Sequence, residues 1–171
     1  MSSPPPDTTR PPELRAPVNL VSPRAVWFWT VRALWGWVVL LAAQVAWWLL
    51  DADHVTWHVL GLVVTVVIAA AHLVVMPRWR YRVHRWEVTD TAVYTQAGWF
   101  DQERRIAPLS RVQTVDTERG PLEQLFRLAN VTVTTASAAG PLRIRGLDLA
   151  VAERLVHDLT IITEHSEGDA T

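Results

Sequence analysis

ALWGWVVLLAAQVAWWLL (residues 33–50), DADH (51–54) and VTWHVLGLVVTVVIAAAHLVVM (55–76) follow one another directly, and the reading of this stretch decides the fold. Each apolar run approaches the ~20 residues that a helix needs to cross a hydrocarbon core. The four residues between them suffice only for a turn between antiparallel neighbours. The spacing predicts a transmembrane helical hairpin over residues 25–77, with the rest of the chain organised around it.

Outside the hairpin the composition sets limits. The chain has 171 residues, half of them hydrophobic, which leaves room for one small folded domain beside the spans. It contains no Cys, so neither a disulfide framework nor a thiolate metal site is expected. The formal net charge is −1, which gives no reason to expect a nucleic-acid partner. All sixteen basic residues are Arg, read as a compositional bias. Seven of the eleven prolines fall between Ser2 and Pro23, in a segment without apolar periodicity. Such a segment buries too little apolar surface to offset its ordering entropy. Residues 1–24 are therefore expected to be a disordered, cytoplasmic, Pro-rich tail. Pro4-Pro5-Pro6 and Pro11-Pro12 lack PxxP spacing. The long charged leader and the immediate second span argue against a signal peptide.

Charge gives the expected orientation. Arg10, Arg15, Arg24 and Arg32 lie on one flank of the hairpin, and Arg78, Arg80, Arg82 and Arg85 on the other, whereas the turn carries Asp51 and Asp53. By the positive-inside rule, both termini are expected to face the cytoplasm of a multi-pass protein in the cell membrane. Seven of the ten Trp lie from Trp27 to Trp57, clustered towards the two ends of the first span, as aromatic belts require. Gln44, Thr65 and His72 are polar residues within the spans. A proton or ion relay normally uses carboxylates, and the spans have none, so hydrogen bonding between helices is the expected role. His54 and His58 stand four apart beside Asp51 and Asp53, but at a membrane surface and without an HExxH motif, so no metal is expected.

Beyond Met76-Pro77 the pattern changes to short strand-like runs. Trp79–Thr89, Ala92–Thr95, Arg104–Ile106 and Val112–Thr117 read as strands, with turns at Asp90-Thr91 and Gly98. Leu122, Leu125 and Phe126 suggest a short helical turn. Val131 and Val133 alternate with Thr132 and Thr134, and Leu142 and Ile144 with Arg143 and Arg145, which predicts a hairpin with one apolar face. Ala152, Leu155, Val156, Leu159, Ile162 and Thr163 form a helical stripe behind Asp148, a suitable N-cap. Residues 78–165 thus read as an all-β sandwich or barrel capped by a C-terminal α-helix, followed by a disordered tail over 166–171.

The runs Ile106–Val115, Gly120–Ala129, Val131–Gly140 and Ile144–Leu147 resemble the YdbS-like bacterial membrane proteins, which carry a bacterial pleckstrin-homology (PH-like) domain after two transmembrane helices. The resemblance spans about three quarters of the chain. It implies two antiparallel sheets, mostly seven strands, closed by one helix. It also implies operation beside a longer relative in a membrane complex, and no enzyme chemistry. Relatives often carry Gly where this chain has Arg127, which implies that Arg127 must end the preceding helix in another way.

No GxSxG, Gly-rich phosphate loop or Cys nucleophile is present, so no enzymatic activity, catalytic residue or cofactor is expected. His84 is placed on the first strand as a surface residue, as are His157 and His165 on the last helix. Asp101, Glu103, Asp116 and Glu118 alternate with Arg104, Arg105 and Arg119 and are read as solvated ion pairs. Candidate lipid or partner contacts are Arg78, Arg80, Arg82 and Arg85 at the bilayer surface, and Arg111, Arg143 and Arg145 on the domain. Against them stands a domain with 12 Arg and 13 Asp plus Glu from residue 78 onward. The expected function is a non-enzymatic assembly or scaffolding module, partnered by the bilayer and by related membrane proteins or a second copy. The alternatives are an anionic-lipid or envelope-stress sensor that reads anionic headgroups, and an accessory subunit of a transporter or channel.

Overall fold

A computed structural model describes residues 16–168 apart from 52, 100, 138 and 139, with side chains through residue 162. The element order is β1 (Asn19–Leu20), α1 (Arg24–Leu50), α2 (Val55–Val83), β2 (Arg85–Val88), β3 (Ala92–Gly98) and β4 (Gln102–Pro108). A 3-10 turn at Leu109–Arg111 leads to β5 (Val112–Glu118), α3 (Pro121–Leu125), β6 (Leu128–Thr135), β7 (Leu142–Asp148) and α4 (Leu149–Gly168). The antiparallel strands form two sheets, ordered β1-β2-β3-β4 and β5-β6-β7.

α1 and α2 are both long and apolar enough to cross a bilayer. At 27 and 29 residues they extend roughly 40 Å, longer than the ~30 Å hydrocarbon core, so turns remain over for the headgroup layer. The polar residues within them face each other. Gln44 Nε2 donates to Thr65 Oγ1 (2.7 Å), and Trp37 Nε1 donates to His72 Nδ1 (3.0 Å). At the far end, His58 lies between Trp47 (4.9 Å) and Trp48 (6.2 Å), and His54 Nδ1 meets Asp51 Oδ1 at 3.2 Å.

α2 does not stop at Pro77. It continues to Val83, so the strand expected from Trp79 begins only at Arg85. Proline removes one backbone donor from a helix, but the Pro77 ring is fully buried, and Arg80 and Arg82 occupy the last turn, where cations complement the C-terminal dipole. The N-terminal segment also departs from expectation. Residues 1–15 of the expected tail lie outside the described residues, but the part adjoining α1 is folded. Asn19 and Leu20 pair with Trp86 and Arg85. Val21 N–H donates to the His84 carbonyl (3.4 Å) and Ser22 N–H to the Gly146 carbonyl (2.9 Å), so the arm joins the two sheets. At the other end α4 runs on to Gly168 rather than stopping at 165.

The core lies between the sheets and under α4. Val93, Val131, Val133, Leu142, Ile144, Leu147, Ala152, Leu155 and Leu159 are buried there. The alternation on β6 and β7 therefore reads correctly for the apolar face. On the opposite face Thr132 is also buried, in a row with Asp116 on β5 and Arg143 on β7. A second cluster ties the hairpin to the domain: Val21, Ala25, Phe28, Trp29 and Leu128, joined by Tyr81, Trp86, Leu122 and Phe126. Gly146, at φ +76°, lets α1 approach β7; a Cβ there would stand 3.1 Å from the Ala25 Cβ. Asp148, expected to cap α4, instead accepts at Oδ1 from Ser22 Oγ (2.9 Å) and Arg24 Nη1 (3.3 Å).

Arg127 does not find another termination. It takes the left-handed conformation itself, at φ 54°, with its N–H on the Gln124 carbonyl (3.1 Å) and its carbonyl accepting from Leu149 N–H (3.0 Å). A side chain in that region costs roughly 1–2 kcal/mol, and the Arg127 side chain is exposed. Arg127→Gly is expected to raise stability by about 1 kcal/mol after the entropy of the unfolded glycine is counted. Denaturant unfolding in detergent micelles checks this, and a loss of stability would show that the Arg127 side chain matters more than its backbone.

Candidate functional site

The sheets part where β4 faces β7, and a cleft of about 230 Å³ opens between them. One wall is Thr95, Gln96 and Ala97 of β3 with Glu103 and Arg105 of β4. The other is Pro141, Arg143, Ile144 and Arg145, and the floor is Val21, His84 and Arg85. Alternation places Arg143 and Arg145 on the side of β7 away from the core, as read from the sequence; both are exposed there, and both also line the cleft. Arg85 follows from the end of α2, whose last residue is Val83.

The structure brings together three of the seven predicted arginines, Arg85, Arg143 and Arg145, and adds Arg105. Arg105 escaped the sequence reading because it was assigned to an ion pair. That pair exists, Arg105 Nε to Glu103 Oε1 at 2.7 Å, while Arg105 Nη1 donates to the Pro141 carbonyl (2.7 Å) across the mouth of the cleft. Arg119, read in the same way, instead donates to the Leu128 carbonyl (3.1 Å). The other four candidates lie elsewhere. Arg78 turns back to the Val74 carbonyl (2.8 Å), Arg82 is exposed, and Arg80 lies over the Trp29 ring at 4.7 Å. Arg111 lines an adjoining depression of about 360 Å³ with Arg104 and Ser137.

His84 is not a surface residue of the first strand. It ends α2, only 4% exposed, with its ring 5.1 Å from Trp29 and Nδ1 donating to the Arg80 carbonyl (2.8 Å). Burial, and next the charge of Arg80, push its pKa down to about 4; the bond to the Arg80 carbonyl acts the other way, and Arg145 adds to the depression. The imidazole is therefore neutral at neutral pH, and the positive charge of the cleft comes from arginine.

The cleft lies close to the spans. The β3–β4 turn carries Trp99, whose ring packs against His72 of α2 (5.8 Å) and whose carbonyl accepts from Trp79 Nε1 (3.1 Å). The domain thus meets the hairpin twice, at the base of α1 and at this turn.

Two apolar spanning helices that share a core with two small antiparallel sheets and a closing helix define a membrane-anchored PH-type protein. The model of the bacterial PH domain matches residues 23–160, and the chain belongs to that family. It is 29% identical over 164 residues to the UPF0699 transmembrane protein YdbS of Bacillus subtilis (strain 168), an alignment that covers 90% of this chain and 97% of that protein. No solved structure matches the chain. With its two apolar spans, it is a membrane protein with a bacterial PH domain.

The depressed pKa of His84 has a consequence for stability. A base whose folded pKa lies below its unfolded value of about 6.5 contributes stability that is complete above pH 6.5 and lost as pH falls towards 4. The wild-type protein should lose on the order of 2 kcal/mol over that window relative to His84→Gln. The check is paired melting curves in detergent from pH 7 to pH 4. A His84 NMR titration with a midpoint near 6.5 would contradict the expectation.

Proposed function

We propose that the protein is a non-enzymatic, multi-pass membrane protein that holds its PH-like domain at the cytoplasmic surface as an assembly module, in a complex with other membrane proteins of its family or with a second copy. The observation that carries this reading is the shared core of hairpin and domain. Phe28 and Trp29 of α1 are buried with Leu128 of β6, so the domain does not swing on a tether. A domain fixed at one height and angle presents its edges to neighbours in the same bilayer. β5 is a seven-residue edge strand, mostly exposed, and an unpaired edge accepts an added strand. Beside it runs the Asp116–Thr132–Arg143 row, where opposite charges flank a buried hydroxyl without a partner among the described residues.

The orientation rests on the arginines. α1 begins and α2 ends at the domain, and the Arg-rich flanks are at those two ends, which favours retention of the domain in the cytoplasm. The transporter reading loses support, because Gln44, Thr65 and His72 are engaged between the helices.

The native chain has no Cys, so single cysteines report topology without background. Asp53→Cys should react with an impermeant maleimide on intact cells, and Arg154→Cys only after permeabilisation; the reverse pattern would invert the orientation. For assembly, the full chain carrying an affinity tag at native expression, solubilised gently from its own membranes, should bring down a stoichiometric membrane partner or a second copy. Recovery of a monomer alone would overturn the assembly reading.

A further inference from the structure

We propose that the cleft between β4 and β7 is a binding site for a phosphate group, held by Arg85, Arg143 and Arg145 with Arg105 at its rim. The site goes beyond the assembly reading and does not depend on it. The first observation is uncompensated charge. Four guanidiniums line about 230 Å³, and the single carboxylate among the lining residues, Glu103, is engaged by Arg105. Among the described residues no carboxylate lies within 4.0 Å of Arg85, Arg143 or Arg145. Arg80 lies close enough to repel both Arg145 and His84. Like charges gathered in a concave site raise its potential and attract an anion.

The second observation is preorganisation. Arg85 Nε donates to the Arg82 carbonyl (3.3 Å) and Arg105 Nη1 to the Pro141 carbonyl, so two of the guanidiniums are braced by backbone. Arg143 and Arg145 are two apart on one strand, and so project to the same side. Gln96, 7% exposed, stands in the wall with its Oε1 buried and without a partner among the described residues. Its Nε2 donates to Gln102 Oε1 (3.5 Å), and exchanging the oxygen and nitrogen ends of both amides keeps that bond while freeing a Gln96 donor in place of the unpartnered oxygen. Planar guanidiniums match the oxygens of phosphate, which they bind through paired charge-assisted hydrogen bonds.

The third observation is position. Thr95, Gln96, Glu103 and Arg105 belong to the half of the β3–β4 hairpin nearer its turn, and that turn packs against α2 at His72 through Trp99. The β3–β4 wall is thus held beside α2, one of the two apolar helices. The phosphate can belong to a lipid headgroup or to a soluble anion, and the recognition chemistry is the same.

The experiment uses the full chain in neutral detergent with inorganic phosphate, and in nanodiscs with and without phosphatidylglycerol. Binding is read from the melting midpoint and from the chemical shift of the His84 imidazole. Phosphate should shift both saturably, Arg143→Gln/Arg145→Gln should weaken binding about tenfold or more, and Arg111→Gln in the adjoining depression should leave it unchanged. Response to phosphate in detergent assigns a soluble anion. Response only to phosphatidylglycerol, lost in the double variant, assigns a headgroup. The proposal is overturned by no response to either probe, or by equal losses in the double variant and Arg111→Gln. If the double variant does not fold, the His84 shift in the unmodified protein decides: a saturable change supports the site, and an unmoved resonance removes it.

Discussion

The contact between the first turns of α1 and the sheets is the constraint on which the rest of the molecule depends. Ala25 packs on Gly146, Phe28 meets Phe126 edge to face at 6.2 Å, and Trp29 is sealed between His84 and the Arg80 guanidinium. Each large apolar side chain buried here contributes roughly 1.5–3 kcal/mol. Ser22 adds the polar part of the same joint, its backbone on Gly146 and its hydroxyl on Asp148. Because Val21 also reaches the His84 carbonyl, one short arm bridges both sheets and the end of α2. The hairpin is thereby part of the domain's core rather than a leash attached to it.

From that joint the cleft follows. The arm and α1 hold β7 and the end of α2 at a fixed separation, while β3 and β4 are held from the other side by the Trp99 turn against α2. The sheet edges at β4 and β7 cannot close into a continuous ladder, and the gap fills with long side chains instead. Arginine suits that place, since its stem covers apolar surface while its head stays hydrated. The same geometry excludes water from His84, which explains why a histidine beside two arginines is held neutral.

Much of this was legible in the sequence. The two spans, the alternation of β6 and β7 and the stripe on α4 each follow from a local period, and local periods survive folding. The departures have a common physical origin. Pro77 reads as a stop because a proline removes a helical donor, but that loss is tolerated where the ring is buried. His84 reads as a surface strand residue because its burial comes from Trp29 and Val21, more than fifty positions earlier. Arg127 reads as a missing glycine, yet the turn is kept and the strain accepted. Arg105 reads as half of an ion pair, and only the approach of β7 reveals it as part of a cluster. Periodicity gives the face on which a side chain lies; what faces it is a long-range fact.

The polar residues of the spans serve the same joint at a distance. In lipid, Gln44 and Thr65, and Trp37 and His72, gain more from each other than from the acyl chains, though each such pair stabilises by only about 0.6–2 kcal/mol. Their greater effect is on register. A hydrogen bond at a given height on both helices fixes how far α2 slides along α1, and so fixes Arg80 and His84 relative to Trp29 at the base. A slip of one turn, about 5.4 Å, would carry Arg80 off the Trp29 ring and His72 away from Trp99. The hairpin's few polar atoms thus help to set the floor of the cleft, and the apolar helices and the folded domain specify a single geometry.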